Sequence, residues 1–218
     1  MNATDTFSRV ASASIVDARS TVFVIDDDIS VRESLESLIR HEGFNVESFV
    51  CAKSFLTRPH VAAPTCLILD IALPGVTGLE LQKSLVSDRP EMPIIFITGR
   101  EDVPTTVQAM KAGAVEFLLK PFSDDVLVDA VRLAIERSRA LVAQRALKTI
   151  SKERYACLTR RERQVFSLII SGLLNREVGE QLGISEITVK AHRGQVMRKM
   201  QADSLADLIR LAANLDSI

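Results

Sequence analysis

Five short apolar runs alternate with helix-period stretches over residues 21–136, and the rest of the chain is helical in pattern and basic in charge. These observations predict a doubly wound α/β domain followed by an all-α domain. The charge distribution supports the division. Residues 1–150 hold 16 Lys and Arg against 20 Asp and Glu, whereas residues 151–218 hold 11 against 8. An acidic front and a basic back point to two domains with different partners.

The strand candidates are "TVFVI" (21–25), "NVESF" (45–49), "TCLIL" (65–69), "PIIFI" (93–97) and "VEFLL" (115–119). Most are continuously apolar, as strands buried on both faces of a parallel sheet are. Only the second alternates, which suits a sheet edge. Helical patterns fall at about 29–42, 51–57, 77–88, 102–112 and 123–136. This is the order of a flavodoxin-like (βα)5 domain, in which ligands bind beyond the carboxyl ends of the first and third strands.

Residues 1–19 read as a mobile polar tail. Ser123 is a candidate N-cap for the fifth helix, with Asp124 and Asp125 favourable in its first turn. From Phe122 to Ser171 there is neither glycine nor proline. An apolar stripe at Leu127, Val131, Ala134, Ile135, Leu141 and Val142 carries the helical pattern into a helical linker at 137–154. A helix that frays near Ser138 is the open alternative.

Beyond it, Thr159 and Glu162 form a capping-box start, and Gly172 a stop. A short helix, a glycine-containing turn at 182–185 and a longer helix then make a helix-turn-helix, and Ser204 caps a last helix. Cys51, Cys66 and Cys157 are too far apart for a zinc or redox motif, so free thiols are expected. No stretch has the apolar core of a signal peptide or the length of a bilayer span. A soluble, cytoplasmic protein is expected.

The chemistry concentrates at the strand ends. Asp26, Asp27 and Asp28 follow the first strand, Asp70 the third, Thr98 the fourth and Lys120 the fifth. Like charges crowded at a low-dielectric strand end repel, so they ionise together only beside cations. Hard carboxylate oxygens with few protein contacts favour Mg²⁺. Acids, a hydroxyl and a lysine in one pocket suit acceptance of a phosphoryl group on an aspartate.

"VIDDD…LILDIALPGVTGLEL…FITGRED…AVEFLLKPF" resembles the receiver domain of two-component response regulators, over residues 20–136. The resemblance implies Asp70 as phosphoacceptor. It implies a Mg (or Mn) ion held by Asp26, Asp27 and Asp70, Asp27 directly, together with the Ala72 backbone carbonyl. Thr98 would contact the phosphoryl group, Lys120 would pair with it, and the Phe117 rotamer would follow Thr98. Lys120–Pro121 would be a cis peptide. Asp28, the surplus acid, is expected only to open the next helix. Leu73 and Thr77 depart from the family's usual Met and Asp on the loop after Asp70. Ala72 has no side chain able to position an attacking water, and Arg100 is placed to shield the site. A phosphoryl lifetime of minutes or more is therefore expected.

"LTRRERQVFSLIISGLLNREVGEQLGISEITVKAHRGQVMRKM" is similar to LuxR/FixJ-type helix-turn-helix domains; the domain spans 155–218, with the motif at about 175–194. Glu162, Gly172, Asn175, Glu177, Leu182, Ile184, Ser185, Thr188, Val189, Lys190 and His192 carry the likeness. Gly179 stands where the family usually has Ala, at a cost of about 1 kcal/mol in helix propensity. Helical phase places Val189, Val196 and Met200 in the core with part of Arg193. The opposite face carries Ile187, Ala191, Gly194 and Arg198, flanked by Lys190 and Gln195. Ala191 and Gly194 keep that face low. Gln195 is placed to read adenine and Ala191 to meet a thymine methyl, while Lys190, Arg198 and Lys199 suit phosphates and Thr188 joins the interface.

The resemblance implies a transcription factor phosphorylated by a sensor histidine kinase. Phosphorylation would promote homodimerisation through the face of the fourth helix, fifth strand and fifth helix, to which Val107, Met110, Val115, Leu127 and Val131 are assigned. Leu205, Leu208, Leu211 and Ala212 would extend the dimer or pack within their own domain. Promoter DNA and RNA polymerase would be its partners. The chain would accept and lose a phosphoryl group without being a turnover enzyme. An aspartate-nucleophile phosphatase would need an acid where Ala72 stands. A constitutive DNA-binding protein with a vestigial receiver would not need the complete set of Asp27, Asp70, Thr98 and Lys120.

Overall fold

The computed structural model describes residues 20–61, 63–100 and 102–215; the N-terminal tail expected at 1–19 lies outside them. The chain divides into two compact units, residues 1–142 and 143–218.

In the first unit the strands are β1 (Thr21–Ile25), β2 (Asn45–Phe49), β3 (Thr65–Asp70), β4 (Ile94–Thr98) and β5 (Glu116–Leu119). They form one parallel sheet in the order β2-β1-β3-β4-β5. The alternating strand β2 is at an edge, where burial is partial. Strand β4 begins one residue later than its apolar run, because Pro93 has no N–H and enters the ladder only through its carbonyl, which accepts from Leu67 N at 2.9 Å. The helices are α1 (Ile29–His41), α2 (Ala52–Leu56), α3 (Gly78–Asp88), α4 (Val103–Lys111) and α5 (Asp124–Ala156).

Each central strand feeds two cores. Val22, Val24, Cys66, Ile68, Ile95 and Ile97 pack under α1 and α5, while Phe23, Ile25, Leu67, Leu69, Ile94 and Phe96 pack under α2, α3 and α4. This two-sided burial explains the continuous apolar runs. It also corrects the face assigned to dimerisation. Leu127 and Val131 are buried against the sheet with Ala134 and Ile135, because they form the inward stripe of α5. Val107 and Met110 are exposed on α4, as are Leu119 on β5 and Val126 on α5.

Helix α5 is continuous over 33 residues and carries residues of both units, as the run into a helical linker implied; the alternative, fraying near Ser138, does not occur. Ser138 is instead fully buried, its hydroxyl donating to the Glu91 carbonyl at 2.6 Å and accepting from Thr65 N at 3.0 Å. A serine there reads as a weak helix former, but its polar atoms are satisfied by the sheet's entry side.

The second unit adds α6 (Arg160–Ile170), α7 (Asn175–Leu182), α8 (Glu186–Met200) and α9 (Leu205–Ala213) around one core containing Leu158, Val165, Phe166, Ile169, Val178, Val189, Val196, Met200 and Leu208. Thr159 and Glu162 form the capping box that opens α6, and Ser185 and Ser204 cap α8 and α9. Leu208 and Ala212 are buried in this core, and Leu211 packs against it. Leu205 remains at its rim.

Candidate functional site

Parallel strands deliver their last residues to one end of the sheet, so Asp26, Asp70, Thr98 and Lys120 arrive together although 94 residues separate the first from the last. Lys120 Nζ donates to Asp26 Oδ2 at 2.7 Å and to Asp70 Oδ2 at 2.9 Å. Asp26 is fully buried and Asp70 nearly so, whereas Asp27 is exposed at the mouth. Carboxylate oxygens of the three acids all lie within 4.8 Å of one another.

The other oxygens of the two buried acids are held by backbone. Asp28 N donates to Asp26 Oδ1 and Ala72 N to Asp70 Oδ1, each at 2.9 Å. Thr98 Oγ1 is buried and accepts from Arg100 N at 3.2 Å. Phe117 is half-buried beside Phe96, with ring centroids 6.4 Å apart. Lys120–Pro121 is a cis peptide.

Burial is the largest influence on Asp26 and pushes its carboxyl above the usual range, only partly opposed by the hydrogen bond from Lys120. Burial by itself would lower Lys120, but its bonds to Asp26 and Asp70 outweigh it and hold the ammonium above the usual lysine range. One ammonium cannot neutralise three carboxylates. The negative charge left over is what a divalent cation would balance, and the all-oxygen donor set fits a hard one.

Two contributors escaped sequence reasoning. Arg32 Nη1 donates to the carbonyls of Asp26 at 2.7 Å and Asp27 at 3.0 Å, tying the acidic turn to the first turn of α1. The spacing of five and six residues was the available signal. Gly78 opens α3, where a Cβ would meet the Asp70 carbonyl at 2.9 Å and Phe96 at 3.1 Å. Asp28 has the modest role expected of it, capping α1 by accepting from Ser30 N at 2.8 Å.

In the second unit α8 presents an exposed face carrying Ile187, Thr188, Lys190, Ala191, Gly194, Gln195 and Arg198. Val189, Val196 and Met200 are buried behind it, and Arg193 turns back to Asn175 Oδ1 at 3.1 Å, binding α8 to α7. Lys190 pairs with Glu186 one turn earlier at 2.8 Å, and Arg198 donates to Gln195 Oε1.

Lys199 departs from the expected phosphate set. Its Nζ contacts Glu162 Oε2 at 2.6 Å and the Cys157 carbonyl at 3.3 Å, because α8 places it over the N-terminus of α6 rather than on the outer face. Burial tends to raise the Glu162 carboxyl, but the bonds from Lys199 and Thr159 outweigh it and hold the group below its usual range. Gly179 also reads differently in three dimensions. A Cβ there would lie 2.7 Å from the Ile184 carbonyl, so the turn has closed onto the space a methyl would take.

Residues 22–132 match the response regulator receiver domain family, and residues 156–212 match the luxR family of bacterial regulatory proteins. Nodulation protein W of Bradyrhizobium diazoefficiens is 48% identical over 198 residues, which cover 90% of this chain and 87% of that protein. The response regulator protein TodT of Pseudomonas putida is 41% identical over 199 residues, covering 91% and 88%. Among solved structures, the response regulator StyR aligns with a TM-score of 0.80 and 44% identity over 90% of this chain and 99% of that one. With an acidic pocket at the sheet's carboxyl end in its first unit and a helix-turn-helix in its second, the chain belongs to the two-component response regulators that join a receiver domain to a luxR-type DNA-binding domain.

Proposed function

We propose that Asp70 accepts a phosphoryl group from a sensor histidine kinase, or from a small phosphodonor, and that this step switches DNA binding. The observation that carries the reading is the bridge from Lys120 to Asp26 and Asp70, which gathers an acceptor carboxylate, a cation and further acids at one strand end. An Asp70 oxygen attacks phosphorus, the bond to the donor's leaving oxygen or nitrogen breaks, and an acyl phosphate forms. Lys120 is placed to neutralise the incoming phosphoryl oxygens, and the Ala72 N–H holds the carboxylate's orientation.

Asp26, Asp27 and Asp70 would hold a Mg²⁺ or Mn²⁺ ion, joined by the Ala72 carbonyl. Bound there, the ion supplies positive charge against the phosphoryl oxygens. Thr98 then turns to the phosphoryl group and Phe117 rotates inward. The α4–β5–α5 face, led by exposed Val107 and Met110, pairs two copies.

The luxR-type domain binds double-stranded DNA through α8. Thr188, Lys190, Ala191, Gly194, Gln195 and Arg198 contact promoter DNA, and RNA polymerase is the further partner. The protein acts in the cytoplasm; it is a switch and not a turnover enzyme.

Asp70→Asn tests the switch. Radiolabel uptake from a phosphodonor should vanish, and promoter output and dimer content should stop responding to it. Output and dimer content indistinguishable from wild type would overturn the reading.

A further inference from the structure

Helix α8 ends on an unusual cap. Gln201 has φ 53° and ψ 45°, and among the described residues no other non-glycine residue has positive φ. The chain turns back through Gln201 N to the Arg198 carbonyl at 3.2 Å and Ala202 N to the Met197 carbonyl at 3.0 Å. The Met200 carbonyl lies among the last turn's acceptors, which have no donor within their own helix.

Arg154, in the last turn of α5, supplies one. Its Nη1 donates to the Met200 carbonyl at 3.2 Å and its Nη2 donates to Gln201 Oε1, so one planar fork closes both the main chain and the side chain of the cap. The turn carrying Arg154 is itself seated in the second unit. Ser151 is fully buried, and the Tyr155 ring packs edge-on against Phe166 at 5.3 Å. These residues precede the segment 156–212 that matches the luxR family.

We propose that Arg154 is a positioning residue for DNA recognition: its fork fixes the C-terminal end of α8 and so the angle at which the exposed face is presented. This rests on the reading of α8 as the DNA-contacting helix. Gln195 and Arg198 lie within two turns of the clamped end, and base-edge contacts tolerate displacements of only about half an ångström. A positive charge at a helix C-terminus is favourable in itself. A lysine would keep that charge but not the two-pronged geometry.

The test uses the full-length chain and two duplexes, one recovered by the wild type from a randomised library and one scrambled to the same composition. Fluorescence anisotropy at fixed salt gives the ratio of the two affinities, and Tm is followed in parallel. Arg154→Ala should lower the ratio about tenfold, the scale of one lost base contact, with little change on the scrambled duplex. Arg154→Lys should restore only part of it.

Gln201→Gly separates position from stability. It removes the second acceptor while relieving the left-handed backbone, so Tm should hold or rise while the ratio falls several-fold. An unchanged ratio in Arg154→Ala, full restoration by Arg154→Lys, or a Gln201→Gly ratio equal to wild type would overturn the inference. If Gln195→Ala lowers the ratio while Arg154→Ala does not, this inference fails alone. A wild type that recovers no preferred sequence sinks the reading of α8 as well.

Discussion

Asp26 is a charge held where burial disfavours it. A carboxyl raised in the fold favours folding below its unfolded value and loses that contribution as pH rises through the folded value. At neutral pH, with divalent ions chelated, Asp26→Asn should therefore raise Tm, and adding Mg²⁺ should stabilise the variant less than wild type; thermal melts with and without EDTA check both. Glu162 has the opposite sign. Its carboxyl is lowered, so its contribution is present above the ordinary glutamate value and is lost as pH falls through the folded one. Glu162→Gln should cost about 2 kcal/mol at neutral pH, the range of a charged hydrogen bond, and the gap from wild type should close in acid, read as Tm against pH. At Ala72 the absence of a polar side chain bears on kinetics. Hydrolysis of the acyl phosphate should take minutes or longer, measured by radiolabel decay, and a half-life of seconds would refute it.

Elements here are located by close approaches that small residues allow. Helix α3 starts against the carbonyl of Asp70 because Gly78 has no Cβ. Gly78→Ala should cost about 1–3 kcal/mol by overpacking and slow phosphoryl uptake, since the displaced carbonyl is that of Asp70, the proposed acceptor; chemical denaturation and uptake rates test the pair. The turn of the helix-turn-helix shows a similar approach, in which the closure of Ile184 onto Gly179 opposes the propensity gain that Ala would bring to α7. Gly179→Ala is accordingly expected to give no rise in Tm. Apolar residues on α4 and α5 differ in whether the sheet already covers them. Leu127→Ala should lose about 2–5 kcal/mol from the sheet core, whereas a charged residue at exposed Met110 should leave Tm alone and abolish phosphorylation-dependent dimerisation, seen by light scattering.

At the scale of the whole molecule, the acidic and basic halves of the sequence are two separately cored units, and α5 carries residues of both. Each unit's chemistry sits where its architecture delivers it. A parallel sheet gathers strand ends, which makes a pocket from residues dispersed over the chain, and a helix-turn-helix leaves one helix face outside the core. The apolar residues left exposed on α4 and β5 lie outside both receiver cores.

The parallel sheet, the edge position of its second strand, the two-sided core and the meeting of Asp26, Asp70, Thr98 and Lys120 were legible in the sequence, because burial on both faces writes continuous apolar runs and a parallel sheet sends every strand's end the same way. The triple aspartate was legible too, down to Asp28 as a helix cap. What needed the tertiary structure was direction and distance. Periodicity marks Leu127 and Val131 as apolar, but only packing shows that the sheet already covers them. Charge marks Lys199 as a phosphate ligand, but only the crossing of α8 over α6 turns it onto Glu162. Composition shows nothing of the fork from Arg154 to the end of α8, since it joins residues 46 and 47 positions apart. Local pattern records what a residue prefers; which preference is satisfied is decided by neighbours that the chain brings from far away.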